Sequence, residues 1–193
     1  ATIRRQRQMC IRDRSNPYDA KGLLKSAIRD EDPVCFFESE QMYGDIGKVP
    51  EHEYLIPIGK ADVKRAGTDV TIVSYNKMMK VALAAADELA KEDINAEVID
   101  LRTIRPLDYD TLIASVKKTN RMIVLEEAWP FASIATEICY VMQRRAFDYL
   151  DAPILRISGA DVPMAYAPNL VKAFLPDVAK VVRTAKDVMY IQK

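Results

Sequence analysis

From residue 69 to the C-terminus, short β-prone apolar runs alternate with stretches of helical period, and few folds accommodate that alternation. The segments 69–75, 96–101, 121–126 and 153–157 are rich in Val, Ile and Leu and predict strands. Between and after them, 77–92, 109–118, 132–150 and 177–191 predict helices; in the second of these Leu112, Ile113 and Val116 share one face. Strands joined by helical segments of this length need crossover connections. The expected fold is therefore α/β, a mainly parallel sheet with helices on both faces.

Upstream, Leu23, Leu24, Ala27 and Ile28 fall on one helical face, and Pro33 sets the end of that helix near Asp30. Val34-Cys35-Phe36-Phe37 predicts a buried strand. Residues 41–67 scatter Gly44, Gly47, Pro50, Pro57, Gly59 and Gly67 among charges, the composition of a linker. The helix predicted over 132–150 is apolar around much of its circumference. Ile134, Ile138, Val141 and Met142 form one stripe, and Phe131, Tyr140, Phe147 and Tyr149 add to it. That width suits either deep burial within one chain or a subunit interface.

Composition narrows the function classes. With 49% hydrophobic and 29% charged residues the chain has the balance of a soluble globular protein, and its apolar runs are too short and too interrupted by charge to span a bilayer. Cys10, Cys35 and Cys139 are odd in number and far apart, which excludes a disulfide framework or a CxxC zinc site and predicts a reduced, cytoplasmic protein. Five arginines within residues 1–14 form a basic arm, yet the rest of the chain is mildly acidic without a second basic patch, which argues against nucleic-acid binding.

Individual residues say little about chemistry. Glu126-Glu127 lies at a predicted strand end, where open α/β sheets gather ligands, and reads equally as a solvated carboxylate pair. Arg102 and Arg105 follow another strand end, where they either grip an anion or pair with acids such as Asp100 and Asp108. Ser74 lacks a histidine within motif distance, the lone His52 falls in the linker, Cys35 and Cys139 read as packing residues, and no GxGxxG opens a helix after a strand.

Several stretches in order resemble the β subunit of the thiamine-dependent first component of the pyruvate dehydrogenase complex, a transketolase-like family. They include Asp19-Ala20-Lys21-Gly22-Leu23-Leu24-Lys25-Ser26-Ala27-Ile28-Arg29-Asp30, Met42-Tyr43-Gly44, Ile56-Pro57-Ile58-Gly59-Lys60-Ala61, Val98-Ile99-Asp100-Leu101-Arg102-Thr103-Ile104-Arg105-Pro106, Glu126-Glu127-Ala128-Trp129-Pro130 and Gly159-Ala160-Asp161-Val162-Pro163-Met164. The resemblance runs from about Ser15 to the C-terminus. It implies a remnant of the thiamine pyrimidine-binding domain over 15–45, a linker over 46–65 and a transketolase C-terminal domain over 66–193. Gln8-Met9-Cys10-Ile11-Arg12-Asp13-Arg14 instead resembles a translated sequencing adaptor, so 1–14 is expected to be non-native and the natural chain to extend upstream.

The family decarboxylates pyruvate oxidatively and passes the acetyl group to lipoyl groups, using thiamine diphosphate and Mg2+ that this part of the β subunit does not hold. No catalytic residue is therefore carried over, and the fragment is expected to be inactive alone. The resemblance implies a K+ site with ligands at Ala27, Ile28, Asp30 and Asp32, at the carbonyl end of a helix. It also implies that Asp151 and the terminal carboxylate on Lys193 dock the subunit-binding domain of the dihydrolipoyl acetyltransferase. The α subunit and a second β subunit are the other implied partners, with Trp129-Pro130 and the apolar stripe of 132–150 at those contacts. A bacterial cytoplasmic setting is expected. The branched-chain 2-oxoacid dehydrogenase β subunit and a non-catalytic binding module are the alternatives; Gly159-Ala160-Asp161-Val162-Pro163-Met164 resembles the pyruvate version more.

Overall fold

The computed structural model describes the backbone of Cys10–Asp13 and residues 15–191. Its centre is a five-stranded sheet in the order β3-β5-β4-β7-β8, formed by β3 (Asp62–Arg65), β4 (Val70–Ser74), β5 (Ala96–Asp100), β7 (Met122–Leu125) and β8 (Leu155–Ile157). β4, β5, β7 and β8 run parallel, and β3 closes one edge antiparallel to β5. α2 (Met78–Ala90) and α6 (Val178–Val188) cover one face, while α3 (Tyr109–Thr119) and α4 (Ile134–Ala146) cover the other.

The four parallel strands are largely apolar because both faces of the sheet are covered. Val70 and Ile72 of β4 meet Met79, Ala82, Ala86 and Leu89 of α2, whereas Val73 joins Leu112, Val116, Ile138 and Met142 on the opposite side. Thr71 is a buried polar residue within β4. Its hydroxyl shares hydrogen bonds with Ser115 (2.6 Å) and Thr119 (2.7 Å) of α3, so a buried polar position on the sheet is satisfied.

Helix boundaries follow local chemistry. Asp108 accepts the Thr111 N–H and the Thr111 hydroxyl at the start of α3, and Asn120 ends that helix in the left-handed region. Asp177 caps α6 through the Lys180 N–H at 2.7 Å. In the N-terminal part, α1 (Pro17–Ile28) starts with Asn16 accepting the Asp19 N–H and proline in the first turn.

A second sheet has the order β2-β1-β6, with β1 at Cys10–Asp13, β2 at Val34–Phe37 and β6 at Thr103–Arg105. β1 pairs parallel with β2 and antiparallel with β6, so four residues of the arm expected to be non-native act as its central strand. Residues 1–9 and 14 lie outside the described residues. Three further sequence expectations need correction. β2 is a half-exposed edge strand and not a buried one, with Phe37 more than half exposed. The linker expected over 46–65 ends in β3, which belongs to the sheet. The expected final stretch of the 132–150 helix is a separate 3-10 turn, Phe147–Tyr149.

Deep burial within one chain does not account for the apolar girth of α4. Ile138 and Met142 are fully buried, but Phe131, Tyr140, Phe147 and Tyr149 are exposed. Besides β1 and β3, the sequence reading did not contain β6 or the short α5 (Pro168–Phe174). Among the described residues no helix is long and apolar enough to cross a membrane.

Gly67 marks where β3 hands over to β4. A Cβ there would overlap the Ala96 carbonyl carbon and the Glu97 amide nitrogen, backbone atoms that cannot turn aside. Gly67→Ala is expected to lower stability by roughly 1–3 kcal/mol through this overpacking, read as a reduced denaturation midpoint with unchanged slope.

Candidate functional site

The parallel strands β4, β5, β7 and β8 all finish at one edge, and β5 and β7 lie on opposite sides of β4. In open α/β sheets this switch point is where ligands collect. Ser74, Asp100, Glu126 and Ser158 reach that edge from the four strands, and all are buried.

Glu126 is fully buried, so the solvated-pair reading of Glu126-Glu127 is incorrect. Its carboxylate accepts from the Tyr75 hydroxyl, the Ser158 hydroxyl and the Ala135 N–H, each at 3.2 Å. The last contact explains why Ser133, at the cap position of α4, makes no side-chain capping bond: a carboxylate from the strand end serves the helix start instead. Glu127 is half-buried and pairs with Lys77, whose ammonium also lies 3.3 Å from the Gln41 side chain. Ser74 donates its hydroxyl to the Leu125 carbonyl at 2.9 Å. His52 packs edge-on against Tyr54, and Cys139 is half-buried with its thiol pKa raised by burial. These groups form no nucleophile–base pair.

The other predicted anion grip is also occupied. Arg102 pairs with Asp19 at 2.6 Å and with Asp62 at 2.7 Å, linking α1, β3 and the end of β5. Lys64 bridges the same two carboxylates at 2.7 and 2.6 Å and lies 4.0 Å from Asp100. Arg102 takes a positive φ of 55°. Its N–H then donates to Asp100 at 3.0 Å, and Asp100 also accepts from the Ser15 hydroxyl. Burial would raise the pKa of Asp19, but the Lys64 and Arg102 cations overcome it and hold the carboxyl below its ordinary value. For Asp100 burial prevails over Ser15, Lys64 and the Arg102 N–H, and its pKa is pushed up to about 6.

At the end of α1, the Asp30 N–H donates to the Ala27 carbonyl at 3.3 Å and the Asp32 N–H to the Asp30 carboxylate at 3.1 Å; Ile28 is largely exposed. Among the described residues no group of three or more His, Cys, Asp or Glu side chains is placed to hold a metal. Oxygen donation to a cation would therefore rest on helix-end carbonyls beside Asp30 and Asp32. Asp151 is half-exposed: its N–H donates to the Asn120 carbonyl at 2.9 Å, and its carboxylate lies 3.4 Å from Arg121. It edges a groove of about 340 Å3 lined by Cys139, Phe147, Leu150, Pro153 and Ile154. Lys193 lies outside the described residues. Asp30 and Asp32 line one surface pocket and Asp151 another, and the structure adds two buried polar clusters that spacing did not reveal.

The family model of the transketolase C-terminal domain matches residues 59–181, starting ahead of the expected boundary at 66 and including β3. The chain is 53% identical over 176 residues to the mitochondrial pyruvate dehydrogenase E1 component subunit beta-2 of Oryza sativa subsp. japonica, covering 89% of this chain and 47% of that protein. To the pyruvate dehydrogenase E1 component subunit beta of Rhizobium meliloti (strain 1021) it is 54% identical over 173 residues, covering 89% and 38%. With the corresponding subunit of Rickettsia bellii (strain RML369-C) the values are 50% over 179 residues, 91% and 55%. The chain spans about half the length of the curated relatives it matches. A solved structure described as a split gene transketolase, inactive beta4 tetramer, superposes with a TM-score of 0.76 over 96% of this chain and 58% of that one; at 22% identity this is a likeness of fold. By the family model that covers most of its length, and with a fold to match, this chain belongs to the transketolase C-terminal domain family.

Proposed function

We propose that this chain acts as part of the β subunit of a pyruvate dehydrogenase E1 component, in the oxidative decarboxylation of pyruvate with acetyl transfer to lipoyl groups. The observation that carries the reading is identity of 50–54% along nearly the whole chain to β subunits of that name. Its own share of the work is assembly with an α subunit and a second β subunit and docking to the acetyltransferase core. The exposed rings of Trp129, Phe131, Tyr140 and Phe147 support an assembly role, since aromatic side chains are enriched at the cores of protein interfaces. Relatives from plant mitochondria and from bacteria are equally similar, so the setting follows the host: mitochondrial matrix or bacterial cytoplasm.

Thiamine diphosphate and Mg2+ would supply the decarboxylation chemistry in the assembled enzyme. The carboxyl edge of this sheet does not suit them: Glu126 and Glu127 have the wrong sign for a diphosphate, and the described residues offer no acidic cluster for Mg2+. In this reading the chain contributes assembly and docking, and the assembled enzyme carries the activity.

Asp151 is the proposed docking anchor. Its exposed carboxylate stands beside a groove of mixed polarity that includes Phe147, Leu150 and Ile154, an arrangement that suits a domain presenting a basic residue next to an apolar one. Calorimetric titration of the chain with acetyltransferase subunit-binding domains from a pyruvate and a branched-chain complex should give tighter binding to the first. Asp151→Ala should weaken it at least tenfold, about 1.4 kcal/mol. Binding to neither domain by the folded chain would discard Asp151 as an anchor.

The end of α1, with Ala27, Ile28, Asp30 and Asp32, is the proposed K+ site. Thermal unfolding in KCl against NaCl of equal ionic strength checks it: a site occupied at ten times its Kd adds about 1.4 kcal/mol. Equal melting temperatures in the two salts would remove it.

A further inference from the structure

α4 buries one side and leaves the other bare. Ala135, Ile138, Met142 and Ala146 are buried against the sheet and α3. The opposite side carries Thr136, Glu137, Tyr140, Gln143 and Arg144, all exposed. Phe147, in the turn that follows, extends this stripe; it is 63% exposed and Tyr140 61%.

The charges on the stripe are placed symmetrically. Glu137 stands three residues before Tyr140 and Arg144 four after it. Seven residues make almost two full turns, so the two charges share one flank of the helix, about 10 Å apart along its axis. Thr136 and Gln143, also seven apart, take the other flank. Arg145 is committed to Asp110 at 2.9 Å, whereas Arg144 pairs with no carboxylate among the described residues. Glu137 likewise has no ion pair among them and meets the neutral Tyr109 hydroxyl.

We infer that this face docks a second copy of the chain, with two α4 helices lying antiparallel about a two-fold axis beside Tyr140. The inference rests on the assembly with a second β subunit proposed above and names the surface that makes it. An antiparallel two-fold sets position −3 of one helix against position +4 of the other. Glu137 of each copy then meets Arg144 of the other, Thr136 meets Gln143, and Tyr140 meets its own counterpart. A parallel pairing would instead set Glu137 on Glu137 and Arg144 on Arg144. A partner of one charge sign would leave one of the two groups unmatched. The exposed rings supply contact area, and the two symmetric ion pairs fix direction and register.

Sedimentation velocity of the 193-residue chain over a concentration series tests this. The unaltered chain should show a concentration-dependent dimer. Glu137→Arg and Arg144→Glu should each weaken it at least tenfold, because each sets like charges against one another. An equimolar mixture of these two variants should dimerise again, since two cations on one copy then face two carboxylates on the other. That rescue is peculiar to the antiparallel two-fold. An unaltered chain that stays monomeric, or a mixture that stays as weak as its components, would overturn the inference. Should either variant fail to fold, Tyr140→Ala decides, and a dimer as tight as that of the unaltered chain rejects this face. The docking titration separates the two readings: a dimer that binds neither acetyltransferase domain keeps this face and counts against the complex, and a monomer that binds the pyruvate-complex domain does the reverse.

Discussion

The pairing of Asp19 with Lys64 and Arg102 is the interaction on which the arrangement of the chain depends. A fully buried carboxylate is tolerable only with cations in contact, and here the cations come from two segments more than forty residues downstream. α1 therefore cannot settle anywhere else on the sheet without stranding a charge. Hydrophobic contact, which is non-directional, could not by itself choose that position. Lys64 and Arg102 also answer to Asp62, so β3 is fixed to the same point as α1.

That dependence explains what the sequence conveyed and what it withheld. β4, β5, β7 and α2, α3 and α6 were readable because each has one dominant period and is buried in the way the period implies. β3 was not readable, since Asp62, Lys64 and Arg65 give it the look of a charged linker. Their reason for being in a strand is the ion cluster and the edge pairing with β5, both of which are tertiary facts. β6 is three residues whose pairing with β1 comes from distant sequence, and α5 is too short to display a period.

The site residues divide in the same way. The strand-end positions of Glu126 and Arg102 could be anticipated from the alternation of elements, but their partners could not. Tyr75, Ala135 and Ser158 come to Glu126 from three other connections, and Asp19 comes to Arg102 from the far side of the linker. A carboxylate that looked available for chemistry is instead committed to holding the fold. Asp151 stands at the other extreme: its half-exposed carboxylate meets Arg121 as its one ion partner among the described residues.

The capping of α4 by Glu126 has a consequence for the surface around it. The connection carrying Trp129 and Phe131 is clamped at one end by the strand and at the other by that carboxylate. In the middle the Trp129 indole N–H is held on the Val162 carbonyl at 2.7 Å, and its ring packs edge-on against Phe174. Arg156 adds a bond to the Pro130 carbonyl at 2.8 Å and another to Thr136. A loop tied at so many points has already surrendered most of its conformational entropy during folding. A partner that covers these rings has little further ordering to impose, so more of the apolar contact is retained as affinity.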